Sequence, residues 1–218
     1  MKKIMFAFLM GIACVASLSA IQNANSSQFE YQWAADGTGV LSLMADYRFD
    51  QVKLTNNGTS QNNKSQTLDF AVRGANYFGE KDNLGIGYGI VAGKYLSGTT
   101  DGVSIDASEI PFSVAAELLF QYKVKFSDPL MLELGVGTKF GFSTKKEGSV
   151  RTSRNAWALL GRIDVLYAFP GGFALTAGCM VGVPFSYSTK ETGSTSKTVH
   201  YSTLGFSVAP MVGGVYCY

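Results

Sequence analysis

A single histidine, His200, and three cysteines are all that metal or thiol chemistry would have to work with in 218 residues. No C-x-x-C, H-E-x-x-H or P-loop pattern occurs, so no zinc site and no nucleotide-binding loop is signalled. The expectation is no metal and no cofactor. Charge is scarce as well: 16% of residues are Asp, Glu, Lys or Arg, with a net charge of +2. That balance gives no basic field for nucleic acid. Five prolines and 46% hydrophobic residues exclude a disordered chain. Glycine is abundant instead, with 25 copies, too many for a helical bundle.

Long uncharged apolar stretches are few. The first follows Lys2 and Lys3, runs from Ile4 and closes on the small residues Ala16-Ser17-Leu18-Ser19-Ala20. It reads as a secretory signal peptide, residues 1–20, with a polar leader over 21–37 and the folded domain over 38–218. A retained anchor and a lipoprotein built on Cys14 are the alternatives; the residues before Cys14 lack the expected Leu three positions upstream. The second stretch, Tyr167 to Tyr187, is long enough for a transmembrane helix. Pro170-Gly171-Gly172 and Pro184 oppose that reading, because they break helices.

What the mature chain does have is period-two alternation, segment after segment. Leu41, Leu43, Ala45, Tyr47 and Phe49 alternate with Ser42, Asp46, Arg48 and Asp50. Leu68, Phe70 and Val72 oppose Asp69, Ala71 and Arg73. Leu84, Ile86, Tyr88 and Ile90 oppose Gly85, Gly87 and Gly89. The pattern continues through 110–126, 130–142, 157–169, 173–187 and 204–218, giving eight strands. In the seventh, Phe185 and Tyr187 are placed on the apolar face. Connections alternate between short turns, at 79–83, 127–129 and 170–172, and four longer polar loops, at 56–64, 97–109, 144–155 and 188–199. The charges Asp46, Arg48, Asp50, Asp69, Arg73, Glu117, Lys123, Lys125, Glu133, Lys139, Arg162 and Asp164 all fall on the non-apolar face. Lys53 and Lys94 have the opposite parity but sit near strand ends, where long side chains snorkel.

An all-β, eight-stranded antiparallel up-and-down barrel spanning a membrane satisfies this plan. Closure pairs every backbone group where no water reaches, short turns face the periplasm and long loops face outward. A soluble lipocalin-like barrel has the same periodicity with its faces reversed. Loop asymmetry and the aromatic C-terminus favour the membrane. An eight-stranded barrel is filled by side chains, so the twelve charges form an expected luminal network, with Glu133 near Lys123 and Lys125. Glycines of the third strand leave room for bulky neighbours such as Tyr77. Cys179 and Cys217 fall on opposite faces and are expected to be free thiols. Pro210, which removes a ladder donor, predicts a bulge.

The last strand, from Leu204 through Phe206 and Val208 to Val215-Tyr216-Cys217-Tyr218, resembles the C-terminal signature of bacterial outer-membrane proteins. With the signal peptide and the eight-strand plan, the chain is similar to small outer-membrane barrels of the outer-membrane protein A, outer-membrane protein X and opacity-protein type. The resemblance implies recognition by the barrel-assembly machinery through Phe206, Val208, Tyr216 and Tyr218, and outer-membrane lipid as surroundings. Function then falls to the outer loops. Lys145, Lys146, Arg151 and Arg154 make a basic cluster suited to an extracellular ligand such as a glycan or lipopolysaccharide. The leading expectation is a non-enzymatic surface barrel. A small pore is one alternative. A lipid A deacylase is another, since His200-x-Ser202 resembles the pair such enzymes carry on a barrel wall. Thr203 replaces the Asn expected after the Ser, and no acidic partner is assigned.

Overall fold

The computed structural model describes residues 39–78, 83–105, 112–127, 129–147, 149–169, 172–192 and 196–217. The signal segment and almost all of the leader lie outside these residues, as does Tyr218. The strands are β1 (Gly39–Asn56), β2 (Thr59–Phe78), β3 (Leu84–Thr100), the two-residue β4 (Val103–Ser104), β5 (Ser113–Lys125), β6 (Leu130–Glu147), β7 (Val150–Phe169), β8 (Phe173–Thr192) and β9 (Ser196–Cys217). Each long strand pairs antiparallel with its sequence neighbours, β1 pairs β9, and β2–β3 closes the ring. The result is an eight-stranded up-and-down barrel, with β4 folded back on the end of β3. The strand reading of this stretch holds over its helical alternative: β7 ends at Phe169, Gly172 has φ +78°, and β8 begins at Phe173.

Alternation decides which side each residue takes. Leu43, Phe70, Ile90, Phe120, Val136, Ile163 and Val181 point outward and are exposed, while Asp46, Asp69 and Asp164 are fully buried inside. A water-soluble barrel would have these environments exchanged. An exposed apolar wall around a charged centre is stable only when hydrocarbon wets the wall. Lys53 and Lys94 are exposed, as their parity requires. Inside, Met131, Leu166, Ala168, Ala174, Val215 and Cys217 seal the end that carries both described strand termini. A second apolar layer higher in the barrel contains Met44, Val91, Leu119, Leu160, Met180 and Met211.

Three features depart from the sequence reading. Three of the outer connections are not long loops. β1 and β2 stay paired up to Asn56↔Thr59 and turn on Asn57-Gly58, both with positive φ (48° and 80°). This is the geometry for which Asn-Gly is suited in two-residue hairpins. Likewise β6 and β7 pair up to Glu147↔Val150, and β8 and β9 up to Thr192↔Ser196. Polar residues in a hairpin wet on both faces have no apolar alternation, so the strands continued where the periodic signal ended.

The second departure is at Pro210. The ladder to β1 skips Tyr47 and Arg48 but resumes in the same register, and Cys179↔Pro210 keeps its place on the other side. No bulge forms there; Pro210 faces outward, and alternation continues through Met211, Val212, Val215 and Tyr216. The irregularity falls instead in β8 beside Pro184. Its register slips against β7 between Trp157 and Ala158, and against β9 between Gly182 and Tyr187. The extra residue switches the parity of everything above it. Tyr187 therefore turns to the interior with Tyr201 and leaves the lipid face assigned to it, whereas Phe185 stays exposed. The two cysteines are free, as their faces required.

Candidate functional site

The interior charges divide into two groups. In the upper group a chain of alternating sign crosses the barrel. Arg73 donates to Asp46 (Nη2 to Oδ2, 2.7 Å) and to Glu117 (Nε to Oε2, 2.7 Å). Lys139 lies between Glu117 and Asp69 at 3.3 and 3.6 Å. Arg48 links Asp69 (2.9 Å) to Asp50 (3.1 Å), and Ser65 donates to the same Asp50 oxygen. The register explains why the cations are needed. Asp46 stands directly opposite Asp69, and like charges in that position repel unless a cation intervenes.

The lower group is built around Glu133. It accepts from Arg162 (2.7 Å), Gln121 (2.7 Å) and the Tyr77 hydroxyl. Arg162 also holds Asp164, the residue directly opposite Glu133. Hydrogen bonds between Ser127 and Leu130 close the hairpin that sets Lys123 opposite Glu133, and the Lys123 ammonium stands over the Tyr77 ring, 3.5 Å from its centroid. Lys125 is exposed at the periplasmic end.

Glycine makes both groups possible. A Cβ at Gly85 would fall 2.6 Å from the Tyr77 ring, and one at Gly89 2.8 Å from the Arg73 side chain. The third strand thus gives its interior volume to its neighbours' long side chains. Tyr77 and Gln121 were not read from the sequence as network members. Their interior parity was the available signal, but nothing in the sequence named their partner.

Above the upper group lies a cavity of about 590 Å³, reaching from Lys139, Leu160 and Met180 to Gln61, Thr152 and Glu191 near the outer hairpins. The basic cluster is divided here. Lys145 and Arg154 line the cavity, while Arg151 is exposed and donates to Thr144 (3.0 Å). The Lys146 backbone pairs with Arg151. The four residues therefore do not share one outward patch, because β6 and β7 continue as strands and alternate.

On β9, His200 and Ser202 are both exposed and share one face, with Ser188 and Thr55 as their cross-strand neighbours. Among the described residues no carboxylate meets the imidazole; the contact at His200 is its backbone oxygen, which accepts from Asn56 (2.5 Å). A hydrolytic triad would need that third member. Phe206 and Tyr216 face outward and are exposed, with half-buried Val208 on the same face.

No protein-family profile and no curated protein matches the chain by sequence. Solved structures do match. The neisserial surface protein A is 12% identical with a TM-score of 0.53, covering 81% of this chain and 96% of its own. The outer-membrane protein OprG of Pseudomonas aeruginosa is 13% identical with a TM-score of 0.54, covering 84% and 96%. The outer-membrane protein AlkL, solved in lipid bilayers, is 14% identical with a TM-score of 0.52, covering 88% and 96%. At such identities the likeness is one of fold. Joined to an apolar outer wall around a charged interior, it gives the chain the fold of a small, eight-stranded membrane-spanning β-barrel.

Proposed function

We propose that the protein is a non-enzymatic outer-membrane barrel that presents a stiff crown of hairpins for recognition at the cell surface. One observation carries this reading: the β1–β2 ladder is unbroken from Gly39↔Asn76 to Asn56↔Thr59. A tilted membrane strand needs roughly ten residues, and β1 has 18. The surplus, at about 3.3 Å per residue, adds ~25 Å of paired strand measured along its own tilted axis. Such a crown holds its side chains in fixed positions, which lowers the entropy cost of binding a partner. Arg151, exposed near the top of β7, suits contact with a polyanionic surface polymer. The interior supports no conduction role, since the charges below the cavity are paired and the periplasmic end is filled by apolar side chains. The outward row of Phe206, Val208 and Tyr216 supports delivery by the barrel-assembly machinery.

The test removes the crown and keeps the barrel. Residues 54–61 are replaced by Asn-Gly, and 145–152 likewise, in cells displaying the protein. Binding of those cells to immobilised heparin and to lipopolysaccharide is compared with that of cells displaying the full chain. At least a fivefold loss is expected. Undiminished binding would remove the crown from the function.

A further inference from the structure

The cavity beneath the crown has its own chemistry. Its walls carry the basic residues Arg48, Lys64, Lys139, Lys145 and Arg154 against the acids Asp50 and Glu191. At the floor, charge is already matched: Arg48 is held by Asp50 and Asp69, and Lys139 by Asp69 and Glu117. Arg154 differs. It is half-buried on the cavity wall, its cross-strand neighbours are Ser143 and Thr189, and no carboxylate among the described residues lies within ion-pair distance. Glu191 is one alternate position further up β8 and makes no bridge to it. A guanidinium in a partly enclosed cup, short of a counter-charge, attracts an anion.

The groups beside Arg154 set what body that anion would carry. Tyr187 and Tyr201 stand with ring centroids 5.6 Å apart on the same wall, put there by the parity switch in β8. Val52, Leu54 and Tyr95 line the cavity too. The Tyr95 hydroxyl is buried and has no hydrogen-bond partner. It is closed in against Gly98, so what Tyr95 adds to the lining is ring surface. A volume of about 590 Å³ is within the range that holds a small organic molecule.

We propose that this cavity is a binding site for a small organic anion with an apolar, ring-bearing body. Arg154 pairs the anionic group, and Tyr187 and Tyr201 pack on the ring beside the apolar Val52, Leu54 and Tyr95. The site faces the cell exterior and uses interior side chains, so it does not depend on the crown's outer face being a recognition surface.

The experiment uses the folded barrel in phosphatidylcholine nanodiscs and naphthalene-2-sulfonate as probe. Titration calorimetry against empty nanodiscs gives the affinity. Saturable binding is expected, with neutral naphthalene-2-sulfonamide and inorganic sulfate each at least tenfold weaker on the same wild-type sample. Arg154→Gln and Tyr187→Ala each weaken the sulfonate about tenfold or more, Arg154→Lys restores part of the loss, and Lys53→Gln on the outer face changes nothing. Folding of every variant is checked by its mobility on unheated gels. Binding no greater than to empty nanodiscs, sulfate binding as tightly as the sulfonate, or affinity indifferent to Arg154→Gln would each overturn the proposal. The comparison among wild-type ligands decides the matter even if a variant fails to fold.

Discussion

At the scale of single residues, the interior is an exercise in compensation. Arg73 is 3% exposed and is the cation between two buried acids, Asp46 and Glu117. Taking charges out of water is costly, and the attraction between them offsets that cost only while every partner remains. Arg73→Met removes the cation, fills similar volume, and leaves Asp46 without a counter-charge and Glu117 with Lys139 alone. The expected loss is about 3–5 kcal/mol of stability, read from urea unfolding in lipid vesicles. Lys53→Gln, on the exposed outer face, is expected to stay within about 0.5 kcal/mol. If Arg73→Met unfolds at the wild-type urea concentration, the network is not what holds the interior together.

At the scale of elements, the instructive strand is β8. Uninterrupted alternation would put Phe185 and Tyr187 on one face, and the register slip beside Pro184 puts them on opposite faces. Spin labels at these two positions, in a background with Cys179 and Cys217 replaced, test the difference. A label at 185 should be relaxed by oxygen, which concentrates in lipid. One at 187 should respond to a water-soluble nickel chelate. Equal responses would restore simple alternation and move the Tyr187–Tyr201 pair out of the cavity. The same strand shows where the sequence is readable and where it is not. Lipid outside and packed side chains inside differ so sharply that Leu43 against Asp46, or Phe120 against Glu117, reveals a strand and both its faces. Above the membrane both faces are wet, so 56–64 and 144–155 lost their periodic signal and looked like loops. Asn57-Gly58 was the one local clue to the hairpin there. A bulge leaves hydrophobicity unchanged while it reverses parity, so Tyr187 was misplaced. Pro210, the more conspicuous breaker, was accommodated in register because the gap it opens in the ladder spans only Tyr47 and Arg48.

At the scale of the whole molecule, the question is whether a closed ring of eight strands encloses a passage. Diameter grows with strand number, and eight leaves an interior just wide enough to be filled. Here the filling has a definite order from the periplasmic side: an apolar seal with Met131, Leu166 and Val215, the Glu133 group, and the Arg73 chain with the Leu119 layer. Only above that does the cavity begin. An ion entering from outside would meet Lys139 and Arg48 already engaged by carboxylates, and advancing further would require parting buried pairs. A bound molecule could therefore occupy the cup without crossing the membrane. The expected result in planar bilayers is no steady conductance at either polarity. Reproducible unitary currents from purified, heat-modifiable protein would mean that the Arg73 and Glu133 groups open together, and that the barrel conducts by rearranging its core.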